Sequence, residues 1–201
     1  MERYGREIIL ASASPRRREL LEQIGISDYR VVPSEVEETV VCGMSPAATA
    51  MHLARAKARA VAETAPAAVV IAADTLVVLD DVVLGKPADR REAAAMLTAL
   101  SGREHAVITG FTIRQGSQRE VCDHVRTKVI FRPLTSAEIV AYLATGEADD
   151  KAGAYGIQGR AAVFVERIEG CYFNVVGLPV SALARALAGF GVRLWPEPNA
   201  L

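Results

Sequence analysis

The sequence predicts an α/β fold, and three observations carry the prediction. Short β-type apolar runs alternate with helical patterns along the chain. The helix starts carry their own punctuation: Ser14-Pro15, Ser45-Pro46, Asp89 with Glu92, and Thr135 with Glu138. Val69-Val70-Ile71-Ala72-Ala73 is an uninterrupted apolar run of the kind a strand needs when both its faces are covered.

The elements follow in order. Ile8-Ile9-Leu10-Ala11 is the first strand. Ser14 and Pro15 supply an N-cap and a first helical residue, Leu20, Leu21 and Ile24 share one face, and Gly25 is the stop. Tyr29-Arg30-Val31-Val32-Pro33 reads as a second strand running into the acidic stretch Glu35-Val36-Glu37-Glu38. Ser45-Pro46 opens an alanine-rich helix to about Glu63, and the strand from Val69 follows, with Asp74-Thr75 at its end. Leu76-Val77-Val78-Leu79, a turn at Asp80-Asp81 and a run from Val82 to Pro87 come next. Asp89 caps a helix to Leu100, ended by Ser101-Gly102. Two long strands lie around His105 to Arg114 and Arg119 to Phe131, and Thr135 with Glu138 caps a helix to Leu143. A loop rich in Gly, Asp and Ala covers residues 145–160, followed by a strand near Val163 to Ile168 and a last helix after Pro179. No repeat or low-complexity linker interrupts the pattern, so residues 1–201 read as a single domain.

Composition narrows the function. Hydrophobic residues make up 51% and charged ones 23%, an ordinary soluble globular balance. Lys and Arg number 23 against 24 Asp and Glu, a net charge of -1, which argues against non-specific nucleic-acid binding. Any polyanion site must therefore be a local concentration of cations. No apolar run approaches the ~20 residues of a membrane span, and the charged start Met1 to Glu7 is no signal peptide. Cys42, Cys122 and Cys171 are odd in number and widely spaced, and His52, His105 and His124 form no metal-ligand pattern with them. Reduced thiols and a cytoplasmic location are expected.

Chemistry concentrates in a few segments. Arg16, Arg17 and Arg18 occupy the first turn of a helix, where the backbone already carries about half a positive charge, so three cations there make sense if a polyanion joins them. The alternative is a solvated helix start with Arg16 paired to Glu19 and Arg18 to Glu22. Asp74, ending a buried-looking run, needs a cation or a metal as partner and suits a general base or a magnesium ligand; otherwise it caps a turn. Lys86 belongs to no phosphate loop, because Pro87 stands where Ser or Thr is required. It reaches phosphate from a strand end or is an exposed turn lysine. Lys57 lies on a partly apolar stripe with Leu53 and Val61, either snorkelling to solvent or pointing inward at an anion. Alternation along Glu35, Glu37 and Glu38 puts one carboxylate into a cleft unless the stretch is a solvated loop. The glycines 153, 156 and 159 let backbone approach a ligand, with Gln158 able to hydrogen-bond a base edge, or else form a tight turn.

Together these segments resemble the Maf family of nucleoside triphosphate pyrophosphatases. The matching pieces are Ser12 to Leu21, Ala73-Asp74-Thr75-Leu76-Val77, Leu84-Gly85-Lys86-Pro87, Leu100-Ser101-Gly102-Arg103-Glu104-His105, Asp150 to Gly159, and Asn174-Val175-Val176-Gly177-Leu178-Pro179, in family order from about Ile8 to Leu187. The resemblance implies a central mixed twisted β-sheet with flanking helices, two lobes around a cleft, similar to inosine triphosphate pyrophosphatase architecture. It implies hydrolysis of a nucleoside triphosphate to the monophosphate and pyrophosphate with a divalent metal, Mg²⁺ or Mn²⁺, and a homodimer. By motif, Asp74 resembles the catalytic acid/base, with Ser12, Arg16, Arg17, Lys57 and Lys86 as a triphosphate cradle and Glu38, with Asp74, on the metal side; Glu37 competes with Glu38 for that part. Arg16, Thr75 and Gln158 together resemble the dTTP/UTP branch, with Thr75 and Gln158 reading the pyrimidine edge. The family is also associated with arrest of septum formation, so the alternative is a non-catalytic nucleotide-binding regulator acting through a protein partner.

Overall fold

The computed structural model describes residues 5–36 and 43–195. The expected central mixed sheet with flanking helices is present: seven strands among the described residues, in the order β2-β1-β3-β5-β6-β7, with β4 hairpinned onto β3. The strands are β1 (Ile8–Leu10), β2 (Arg30–Val31), β3 (Val69–Leu79), β4 (Val82–Leu84), β5 (Glu104–Gln115), β6 (Arg119–Phe131) and β7 (Val165–Glu169). β1 runs parallel to both β2 and β3, and every other pairing is antiparallel. The helices are α1 (Pro15–Gln23), α2 (Pro46–Thr64), α3 (Arg90–Leu100), α4 (Ser136–Leu143), α5 (Tyr172–Val176) and α6 (Val180–Ala188).

The local signals place these elements well. Ser45 Oγ accepts from Ala48 N–H, Asp89 from Glu92 N–H, and Thr135 with Glu138 forms a complete capping box. Asp80 and Asp81 both adopt positive φ, 49° and 64°, as the two central residues of a tight hairpin turn do. Two differences are instructive. β3 does not stop at Asp74 but runs through it, because β5 pairs with it continuously from Val70 to Val78. The short helix α5 has no sequence signal of its own and depends on packing.

β3 is what builds the site. Its parallel partner β1 ends opposite Ile71, and β4 joins only at Val77. From Ala72 to Leu76, β3 therefore pairs, among the described strands, on the β5 side alone, and its other edge opens where β1 turns away into Ser12 and α1. A ligand site at such a divergence is the general habit of sheets with parallel strands. Successive residues point to opposite faces, so Asp74 faces α2, with Val70 and Ala72, and Thr75 faces the main core, with Ala73 and Val77.

The α2 face is closely packed. Gly110 pairs directly with Asp74 across β3 and β5. A Cβ on Gly110 would meet the backbone of α2, 2.6 Å from Met51 N. The bare glycine lets the helix lie against the sheet and brings Lys57 within reach of Asp74.

Candidate active site

A cleft of about 630 Å³ opens along the bare stretch of β3. Its lining brings together Ser12, Arg16, Arg17, Lys57, Asp74, Thr75, Lys86 and Gln158, and leaves out Arg18 and Glu35. Glu38, and Glu37 with it, lies outside the described residues. Among the described residues, five cationic side chains line the cleft (Arg16, Arg17, Lys57, Lys86, Lys151) against three carboxylates (Glu19, Asp74, Asp150). In a chain of net charge -1, that excess is local, and it favours an anionic ligand.

On the α2 face, Lys57 Nζ donates to Asp74 Oδ1 at 2.6 Å, both side chains only 8% exposed. Lys57 thus points inward rather than snorkelling. Burying two charges is tolerable only with close pairing, and this pair satisfies that demand. Lys57 engages Oδ1, which leaves Oδ2 as the atom of Asp74 for a water or a metal.

On the other face, α1 delivers Arg17, whose guanidinium makes three hydrogen bonds to described residues. Nε donates to Gly177 O (2.9 Å), Nη1 to Ser12 Oγ (3.0 Å) and Nη2 to Thr75 Oγ1 (3.1 Å). Gly177 ends α5 at φ 127°, a conformation that turns its carbonyl toward the arginine and that a side chain would strain. Ser12 Oγ also accepts from Ser14 N–H (3.3 Å), so what its hydroxyl has left for a ligand is its proton. No Arg16–Glu19 or Arg18–Glu22 ion pair forms among the described residues. Glu22 accepts instead from the Tyr29 hydroxyl.

Behind Thr75 lies a polar group of residues that sequence reasoning missed. Thr75 Oγ1 is 3.0 Å from Thr109 Oγ1. Thr109 donates its hydroxyl proton to Asn174 O and its N–H to Asn174 Oδ1. Asn174 Nδ2 donates to Val107 O and to Thr127 Oγ1, and Thr127 donates to Cys171 O. Thr109, Thr127 and Asn174 are each fully buried. Threonines on a β-strand and an asparagine in a short helix carry no local mark of this arrangement; the one available signal was that Asn174 opens a motif already quoted.

The far wall is the loop bearing Gln158. It also contributes Asp150 and Lys151, joined at 2.5 Å, two residues of the Asp150 to Gly159 motif to which sequence assigns no part in the site. The Lys151 hydrogen bond, aided by the positive field of Arg16, holds the Asp150 carboxyl below its ordinary value. Gln158 and Lys86 are exposed at the rim. Tyr155 anchors this wall by a 2.8 Å hydrogen bond with His105 Nε2 on β5. Burial pushes the His105 imidazole down from 6.5 to about 4. As pH falls from 6.5, the unfolded chain takes up a proton here that the folded chain refuses. The stabilising contribution of this site is complete above pH 6.5, and about 3 kcal/mol of it is lost by the time pH reaches the folded value. The ring's proton resonances are expected to remain those of neutral imidazole at pH 5.5. Titration near 6.5 would overturn this assignment.

The profile of the family described as Maf-like protein matches residues 7–190. The chain belongs to the Maf family. A dTTP/UTP pyrophosphatase of Moorella thermoacetica is 53% identical over 190 residues, spanning 94% of this chain and 97% of that protein. Another, of Pelotomaculum thermopropionicum, is 50% identical over 187 residues, 92% and 97% of the two chains. Among solved structures, a nucleoside-triphosphatase / dITP/XTP pyrophosphatase of Mycobacterium abscessus superposes with a TM-score of 0.45 at 19% identity, covering 92% of this chain and 97% of that one. A HAM1 protein of Coxiella burnetii gives 0.48 at 16% identity, covering 91% and 98%. In this Maf fold, five of the six motifs converge from α1, β3, the segment after β4, the Gln158 loop and α5 onto one cleft, and the sixth, Leu100 to His105, does not line it. Among the described residues no helix is long and apolar enough to cross a membrane.

Proposed function

We propose that this chain is a nucleoside triphosphate pyrophosphatase that hydrolyses dTTP and UTP to the monophosphate and pyrophosphate, clearing such nucleotides from the pool. The observation that carries the reading is the cationic cleft centred on the buried Lys57–Asp74 pair, in a Maf chain half identical to dTTP/UTP pyrophosphatases along nearly its whole length. Arg17 and Ser12, with Arg16 and Lys86 at the mouth, take the triphosphate. Asp74, its Oδ1 held by Lys57, accepts the proton of the water that attacks the α-phosphorus, and the bond to the leaving pyrophosphate breaks. The positioned cations oppose the negative charge gathering on that leaving group, where fixed electrostatics contributes most. Gln158, an amide that both donates and accepts, reads the pyrimidine edge together with Thr75.

The donor set suits a hard divalent cation such as Mg²⁺ or Mn²⁺. No cluster of three or more His, Cys, Asp or Glu gathers among the described residues, but Mg²⁺ is commonly held by one or two carboxylates together with substrate phosphates. Asp74, and Glu38 from the sequence motif, would hold it, and when bound it would supply charge neutralisation at the phosphates. The protein would act as a single-domain cytoplasmic homodimer.

The test is a substrate panel of dTTP, UTP, CTP and 7-methyl-GTP with Mg²⁺ or Mn²⁺, read by chromatography. Monophosphate and pyrophosphate from dTTP and UTP are expected. Tight nucleotide binding without turnover would instead favour the regulator.

A further inference from the structure

We infer that Thr109 and Asn174 are positioning residues for substrate binding, because the buried chain they form dictates the direction of the Thr75 hydroxyl and through it fixes Arg17. The inference rests on the reading of the cleft as a triphosphate site. Each hydrogen bond in the chain has a forced sense, because a hydroxyl carries one proton. Thr109 gives its proton to Asn174 O, an acceptor only (2.9 Å). In the 3.0 Å Thr75–Thr109 contact, Thr109 must then accept and Thr75 must donate. With its proton spent there, Thr75 Oγ1 offers only lone pairs, and the Arg17 Nη2–H takes one of them at 3.1 Å. A ligand meets this hydroxyl only as an acceptor.

Asn174 supports Arg17 by a second route. Its carbonyl also accepts from Gly177 N–H (3.1 Å), which closes α5. Gly177 O in turn accepts from Arg17 Nε. The Gly177 and Thr75 contacts of the guanidinium thus converge on one asparagine. Asn174 is itself locked, since its amide gives one proton to Val107 O and the other to Thr127 Oγ1, and Oδ1 accepts from Thr109 N–H. Buried polar groups this fully satisfied hold their geometry, and breaking one link leaves its neighbours unpaired.

The test uses Thr109→Val, which keeps the shape and removes the hydroxyl, Thr109→Ser, which restores it, Thr75→Val, and the Thr75→Val/Thr109→Val double variant. The readouts are calorimetric affinity for inorganic pyrophosphate with Mg²⁺, dTTP hydrolysis, and thermal midpoint. Thr109→Val is expected to weaken pyrophosphate binding about tenfold, with Thr109→Ser restoring it. Added to Thr75→Val, it should cost no further affinity, since the effect passes through Thr75. A purely structural Thr109 would lower the midpoint and leave the affinity of the folded protein at the wild-type level, and that result overturns the inference; so does a full additional loss in the double variant. If Thr109→Val does not fold, Thr75→Val alone decides, because it cuts the same chain at a half-buried link, and wild-type affinity there is equally fatal. A wild-type protein that binds no pyrophosphate and turns over no dTTP would instead overturn the proposed function.

Discussion

Asp74→Asn is expected to lower dTTP turnover by about 10³-fold, within the range that positioned acid–base groups contribute. Asparagine has the same shape and still offers Lys57 an oxygen, but it cannot take a proton from water. The variant loses charge compensation for a buried ammonium, which costs stability, so circular dichroism and a melting curve must accompany the kinetics. The expected result is a folded protein of lowered midpoint that binds dTTP and releases almost no pyrophosphate. Pyrophosphate release at the wild-type rate from that folded variant would remove Asp74 from the role of base.

The second large effect is expected at a residue with no side chain. Gly110→Ala would place a methyl group within the backbone of α2 beside Met51 N. Backbone cannot swing aside as a flexible side chain does, so helix and sheet must separate, at a cost of about 3 kcal/mol or more. The separation also draws Lys57 away from Asp74, the residue opposite Gly110 in the sheet register. Denaturant unfolding should show the loss of stability, and the remaining folded protein should show a fall in kcat beyond any change in KM. A variant as stable as the wild type would mean that α2 does not rest on this glycine.

Ser14-Pro15, Ser45-Pro46, Asp89 with Glu92 and Thr135 with Glu138 are local signals that coincide with the helix starts; Ser45, Asp89 and Thr135 cap with a side-chain hydrogen bond, and Ser14 does not. The apolar run from Val69 likewise marked a buried strand. Arg16, Arg17, Lys57, Asp74, Lys86 and Gln158 stand out by residue type and position, Ser12 and Thr75 come only with the family resemblance, and all of them line one cleft.

Tertiary structure decided what depends on partners distant in the chain. β3 continues through Asp74 because β5 pairs with it there, and no described strand covers its other edge because β1 stops and β4 has not begun. Lys57 turns inward because Asp74 waits 2.6 Å away on a strand that periodicity along α2 cannot see. The donor sense of Thr75 is fixed by an asparagine 99 positions further along the chain. The sequence by itself determined the α/β class and the helix starts and named candidates for the site, because caps, period-two runs and side-chain chemistry are properties of neighbouring residues. Which groups are paired, which face the cleft and which way each proton points were settled only when strands and helices met, because burial forces each polar group to find its partner wherever the fold has put one.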